Sequence, residues 1–294
     1  MTQVKRILIL GGDGMLGHQL WKEFSELAQF ETRVTLRSDF SRYESYQIFN
    51  QSRSYPSLDV RSLDRLLEVF TDFRPDVVIN AVGIIKQRAI SKDAIVSLEI
   101  NSLLPHRLAL LCDAFQARLI HPSTDCVFSG RRGMYTELDE PDALDLYGRS
   151  KLLGEVTQSN ALTLRTSIIG LELDRKASLL EWFLNVPSPV RGFKKAMYNG
   201  LTTLELSRLI RRLIIEFPNL GGLYQVSSQP ISKFDLLTII KSSFSKATVI
   251  EPDETFVIDR TLDSSRFREA TGYIAPTWQE MINAISESIG EVKL

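Results

Sequence analysis

The chain has 294 residues, 35 basic and 36 acidic, so its formal net charge is −1. This balance excludes a basic footprint for nucleic acid and an acidic tail, and the length allows one large α/β domain or a domain with a smaller appended lobe. Two cysteines in mostly apolar surroundings, Cys112 and Cys126, exclude a disulfide framework and a metal cluster. No apolar run approaches the length of a bilayer span, and Met1 to Lys5 leads straight into a strand, which predicts a cytoplasmic chain with no membrane insertion.

Val4 to Leu10 is short, aliphatic and followed at once by glycine, the pattern of a fully buried strand. Gly11, Gly14 and Gly17 come next, then a helical pattern through Leu16, Leu20, Trp21 and Phe24. In a strand–turn–helix of this kind the glycines serve the tight exit, the approach of a pyrophosphate, and close packing of helix on sheet. The phosphates would meet the N–H groups at the helix start, so Gly11, Gly14, Met15, Leu16 and Gly17 are candidate cofactor contacts.

The next predicted strand, Arg33 to Leu36, ends at Arg37 and Ser38, with Asp39 slightly late. An acidic residue there would take a ribose 2′-hydroxyl, whereas Arg37 suits a 2′-phosphate, which favours NADP with NAD as the alternative. Asp39 to Pro56 has no clear period. Ser57 to Val60 resembles a strand end, with Asp59 and Val60 placed at an adenine or Asp59 capping a helix over Ser62 to Phe73. Val77 to Asn80 is another buried strand, and the small residues Ala81, Val82 and Gly83 after it would let a cofactor pass close to the backbone.

Ile84 to Ser97 is expected to be a loop and helix whose Lys86, Gln87 and Arg88 could face an anionic substrate. Asn101 to Phe115 has a helical leucine pattern, and Arg118 to His121 is a buried strand ending at Pro122-Ser123-Thr124-Asp125. The second half alternates less cleanly. Strands are expected at Leu162 to Leu164 and Gly222 to Val226, a strand or turn at Val190 to Phe193, and helices at Leu179 to Leu184, Thr203 to Phe217, from Ser232, and over Trp278 to Ile289. No internal repeat is present.

Tyr147-Gly148-Arg149-Ser150-Lys151 places a phenol and an ammonium four residues apart, on one face if the segment is helical. A nearby ammonium favours the phenolate, which brings a group that titrates near pH ~10 into use as an acid or base.

Glycine turn, acidic residue near 59, small residues near 80, Ser-Thr-Asp after a later strand, then Tyr and Lys form one ordered series. It resembles the extended short-chain dehydrogenase/reductase family, on Gly11-x-x-Gly14-x-x-Gly17, Ser123-Thr124-Asp125-Cys126-Val127-Phe128-Ser129-Gly130 and Tyr147-Gly148-Arg149-Ser150-Lys151-Leu152-Leu153-Gly154-Glu155. Within that family the wording is most similar to dTDP-4-dehydrorhamnose reductase and its relatives, as are Tyr135-x-Glu137 with Pro141, Leu164-Arg165-Thr166 and Asn199-Gly200-Leu201-Thr202-Thr203. Two departures stand out: Asn80-Ala81-Val82-Gly83-Ile84-Ile85-Lys86-Gln87 where an alanine-rich run is usual, and Ile168 where an aromatic residue is common. They imply a sugar other than dTDP-4-dehydrorhamnose.

The resemblance implies a Rossmann-type doubly wound parallel sheet over 1–165 and a smaller C-terminal substrate-binding lobe over 166–294, with some segments returning to the first domain. It implies Tyr147, Lys151, Thr124 and Asp125 as the catalytic set, and Asn80, Ala81, Val82 and Lys151 beside a nicotinamide cofactor. Lys86, Thr124, Asp125, Tyr147 and Arg165 would meet a nucleotide-sugar substrate, and the reaction would be reduction of a 4-keto sugar for surface polysaccharide; a homodimer is compatible with it. Two other readings use the same residues. One is an epimerase or dehydratase with recycled NAD, against which Arg37 and the lack of a carboxylate pair at 124–125 speak. The other is a non-catalytic NADP-binding subunit similar to the regulatory subunit of methionine adenosyltransferase.

Overall fold

A computed structural model describes residues 4–85, 93–174 and 176–290. Strands and helices alternate as β1 (Lys5–Leu10), α1 (Met15–Phe24), β2 (Phe30–Thr35), β3 (Ser54–Tyr55), α2 (Leu63–Phe73), β4 (Val77–Asn80), α3 (Ala94–Ser97), α4 (Leu104–Ala114), β5 (Arg118–Pro122), α5 (Leu146–Leu152) and β6 (Ala161–Arg165). The chain continues through β7 (Ile168–Ile169), α6 (Leu179–Asn185), β8 (Val190–Tyr198), β9 (Leu201–Thr202), α7 (Thr203–Glu216), β10 (Gly222–Gln225), β11 (Ile231–Ser232), α8 (Lys233–Ser243), β12 (Ile250–Asp259), α9 (Ser265–Thr271) and α10 (Trp278–Gly290).

Seven strands form one sheet in the order β10-β6-β5-β4-β1-β2-β3, and the neighbours from β6 to β3 pair in parallel. This is the doubly wound α/β arrangement expected from the sequence. The chain leaves β1 toward β2 and β3, then returns to β4 on the other side of β1. Direction therefore reverses between β1 and β4, and in open parallel sheets the crevice beyond the carboxyl ends at such a reversal is where ligands bind.

The strands read as apolar runs because both faces are covered. Ile7 to Leu10 are fully buried, and one face packs Leu8, Leu10 and Val78 against Leu66, Val69, Phe70 and Phe73 of α2 and Leu104, Leu108 and Cys112 of α4. Each such side chain contributes roughly 1.5–3 kcal/mol relative to an exposed one.

The chain divides into two compact units. The first is 1–123, 144–164 and 207–223; the second is 124–143, 165–206 and 224–294. The second unit contains a three-stranded sheet, β11-β8-β12, and the pair β7-β9. Of the residues after 165, 207–223 group with the first unit, and 124–143 group with the second although they precede α5.

Several expectations need correction. The third strand is Ser54–Tyr55, while Ser57 has φ +51° and 60–61 is a turn. Two long strands, β8 and β12, occupy 190–198 and 250–259 where the sequence suggested a short element or none. The helix expected from Asn101 begins at Ala94 and passes through a π-helical turn at Leu98–Leu103. Ala94–Ala114 is long and apolar enough, by length and composition, to cross a membrane, contrary to the reading that no such run exists. Its Leu104, Leu108, Ala109 and Cys112 are buried in the core described above.

Candidate active site

In the first unit, the turn after β1 has the geometry its glycines imply. Gly11 sits at φ +79°, and a Cβ on Gly17 would lie 1.9 Å from the Gly11 carbonyl oxygen, so neither position accepts a side chain without displacement. Gly14 is the N-cap of α1 with no side-chain hydrogen bond at the cap, leaving the helix start free to receive an anion. A Cβ on Gly11 would also come within 2.7 Å of Val82 Cγ2, so the turn lies directly beside the end of β4. Leu16 is buried, so its contribution to a cofactor is its backbone; Met15 is half-buried. The turn fits a dinucleotide pyrophosphate.

Asn80 and His121 lie side by side at the ends of β4 and β5. Asn80 Oδ1 accepts from Val82 N at 3.2 Å, so its amide nitrogen faces His121 Nδ1, also at 3.2 Å. That leaves the histidine proton on Nε2, and burial with Lys151 nearby holds the ring well below its ordinary titration range. Asn80 thus shapes the 80–82 backbone.

Arg37 is exposed just beyond β2. Ser38 N donates to Tyr43 Oη at 3.1 Å, and Tyr43 donates in turn to Asp13 Oδ2 at 3.1 Å, which ties the 38–43 segment to the glycine turn. Asp59 is exposed and chelated by Arg61, with Nη2 to Oδ2 at 2.6 Å; this pairing, with Arg37 close by, holds its carboxyl below the usual range. The N-cap of α2 is Ser62, not Asp59. Val60 is 9% exposed.

Tyr147 and Lys151 both belong to α5, which Asp145 caps by accepting from Gly148 N at 2.8 Å. Tyr147 is half-buried, while Lys151 is 6% exposed and donates from Nζ to Pro122 O at 2.9 Å. Burial lowers the Lys151 amine to about 8, against an upward pull from Glu155. An ammonium one turn below the tyrosine is therefore fixed to the strand end. The helix is held from behind as well: Asn101 Nδ2 meets Ser150 Oγ at 3.1 Å and Ile84 O at 3.1 Å, Asn101 Oδ1 accepts from Ile84 N at 2.9 Å, and Ser102 donates to Ser150 O at 2.8 Å.

In the second unit, Thr124 donates to Asp125 Oδ1 at 3.1 Å and accepts from Cys126 N at 3.1 Å. Burial pushes the Asp125 carboxyl up, and Arg260, the Thr124 hydroxyl, Cys126 and Lys233 draw it back. Arg260 is held by Phe128 O at 2.9 Å. Cys126 is therefore in charged company, not the apolar surroundings expected, and its thiol is pushed up to about 12 mainly by burial. Arg165 is 5% exposed and lies 5.3 Å over the Phe128 ring. Lys86, Gln87 and Arg88 lie outside the described residues.

Sequence reasoning passed over Asn101, Ser123, Glu155, Lys233 and Arg260 as parts of these clusters. The quoted motifs that begin at Ser123 and end at Glu155 were the available signals for those two; Asn101, Lys233 and Arg260 depend on long-range folding.

The sequence model described as the RmlD substrate binding domain matches residues 5–177. A probable low-salt glycan biosynthesis reductase, Agl14, of Haloferax volcanii is 35% identical over 117 residues, 38% of this chain and 39% of that protein. Methionine adenosyltransferase 2 subunit beta of Rattus norvegicus is 29% identical over 175 residues, 58% of this chain and 49% of that protein. The matched stretch thus spans less than half the length of either relative. A solved dTDP-4-dehydrorhamnose reductase of Bacillus anthracis, in complex with NADP, superposes with a TM-score of 0.79 at 20% identity over 97% of this chain and 99% of that one. Fold, strand-end motifs and matched residues agree: the chain belongs to the RmlD substrate-binding-domain family, with the extended short-chain dehydrogenase/reductase architecture.

Proposed function

We propose that the protein is an NADPH-dependent reductase of a 4-keto nucleotide sugar, with NAD(H) as the alternative cofactor. The observation that carries this reading is Lys151, buried on α5 one helical turn from Tyr147 and anchored to Pro122 O. A buried ammonium is costly, and its usual justification is chemistry that needs the charge. The glycine turn at 11–17 and exposed Arg37 support a dinucleotide with a 2′-phosphate, as does the NADP in the Bacillus anthracis relative.

A bound reduced nicotinamide would supply a hydride to the carbonyl carbon. Tyr147 then gives its phenolic proton to the growing alkoxide, and Lys151 lowers the energy of the phenolate that remains. Asp125 orients the Thr124 hydroxyl for hydrogen bonding. Asp59 serves the adenosine half after exchanging its hold on Arg61. The two sequence departures, at 80–87 and at Ile168, favour a sugar other than dTDP-4-dehydrorhamnose.

The test is a panel of 4-keto nucleotide sugars incubated with NADPH or NADH while absorbance of the reduced nicotinamide is followed. Oxidation with one sugar identifies class and substrate; silence across the panel rejects the reading. A regulatory subunit is the second reading, favoured by the 29% identity over 175 residues to the methionine adenosyltransferase beta subunit. Co-purification with a methionine adenosyltransferase, together with silence in the panel, would support it.

A further inference from the structure

Two hydrogen bonds fasten the carboxyl end of β5 to α5 and the turn that follows it. Lys151 Nζ donates to Pro122 O at 2.9 Å, and the first residue beyond the strand, Ser123, donates from Oγ to Glu155 Oε1 at 2.7 Å. Glu155 reaches this place because the chain doubles back after the helix, with Gly154 N to Lys151 O and Glu155 N to Leu152 O both at 3.1 Å. A buried ammonium and a half-buried carboxylate are thus held by consecutive residues of one strand end.

The partner of Lys151, a carbonyl, is a neutral dipole and offsets only part of the cost of taking an ammonium out of water. The other titratable groups around it, among the described residues, are few. His121 on β5 is kept neutral by burial, and His106 on α4 turns its Nε2 to Leu153 O at 2.8 Å. On α5 itself Tyr147 is neutral when it carries the proton it donates. Glu155 is the carboxylate that acts on the amine, and in a half-buried setting its field is screened less than at an open surface.

We propose that Glu155, fixed by Ser123, is a positioning residue that keeps the buried Lys151 amine in its ammonium form. Its effect passes through Lys151, and Ser123 serves by holding the carboxylate in one orientation. The consequence for turnover rests on the role proposed above for Lys151; the charge relationship does not.

The two are separated by measuring the charge directly. The full chain, labelled with 15N-lysine, is titrated by NMR at the Lys151 Nζ resonance, assigned by its loss in Lys151→Arg. In Glu155→Gln the midpoint should fall by about one unit. Ser123→Ala should give a smaller fall, and Glu155→Asp should return most of the difference. A folded Glu155→Gln protein that titrates with the wild type overturns the proposal. If that variant does not fold, Ser123→Ala decides: a lowered midpoint supports it and an unchanged one overturns it. The alkaline limb of kcat should move with the NMR midpoint. If the midpoint moves and the limb does not, the charge relationship stands and the catalytic role of Lys151 fails.

Discussion

Thr124 gives its only hydroxyl proton to Asp125, at 3.1 Å, while its oxygen accepts the Cys126 amide. To serve a substrate oxygen the hydroxyl must turn away from Asp125, and Arg260 and Lys233, close to that carboxylate, can compensate the lost donor. Thr124→Ser should keep most of the turnover. Thr124→Val, with no proton to give, should lose about 100-fold in kcat. Equal activity in the two variants would remove Thr124 from the chemistry.

Tyr147→Phe removes the proton donor and leaves α5 and its Asp145 cap in place. It should lower kcat by about 10²–10⁴-fold. NADPH affinity, followed by quenching of protein fluorescence, should stay within about threefold, since the phenyl ring is retained. Unchanged turnover would assign the proton to another group.

Lys151→Met should make the protein more stable and inactive. Between about 8 and the ordinary 10.5 the unfolded chain binds more protons at this site than the folded chain does. Stability contributed by this group is therefore lowest below pH 8 and rises through that interval. Replacing the ammonium with a thioether chain of similar length should add about 1–2 kcal/mol at pH 7, net of the lost bond to Pro122. Thermal melts at pH 7 and pH 9.5 check it: the gain in Tm should shrink at the higher pH.

Gly17→Ala puts a methyl group 1.9 Å from the Gly11 carbonyl oxygen. The turn or α1 must shift, and NADPH binding measured by calorimetry should weaken at least tenfold, roughly 1.4 kcal/mol. Binding equal to wild type would show that the turn does not hold the pyrophosphate.

Arg37→Ala should raise KM for NADPH by about tenfold and leave NADH almost unchanged, because only the former carries the 2′-phosphate. A parallel change for both cofactors would reassign Arg37 to general electrostatics.

The first unit was legible in the sequence because its signals are local. β1, β4 and β5 each carry a short aliphatic run, Ile7 to Leu10, Val77 to Ile79 and Leu119-Ile120, and the glycine turn declares itself by spacing. β12 was not legible: Ile250–Asp259 contains a proline and four acidic residues, and it becomes a strand by pairing with β8, sixty residues earlier in sequence at Ile250 and Val190. Ser57–Val60 misled because its alternation of polar and apolar residues reflects a turn packing Leu58 and Val60 inward. For the candidate site, Tyr147 and Lys151 announced themselves by spacing, whereas the clustering of Asp125 with Lys233 and Arg260 joins residues more than a hundred positions apart.

The π-helical turn at Leu98–Leu103 holds one residue more than the ordinary helix around it needs, and Asn101 lies within that surplus. Deleting a single residue there would restore regular winding and leave everything downstream on its present face, because the wide turn is what absorbs the extra residue. Leu104, Leu108 and Cys112 would keep their places in the core, whereas the Asn101 amide would lose its hold on Ile84 and Ser150. The wide turn thus serves the contacts of Asn101 and not the core, even though a regular helix would be the better isolated peptide.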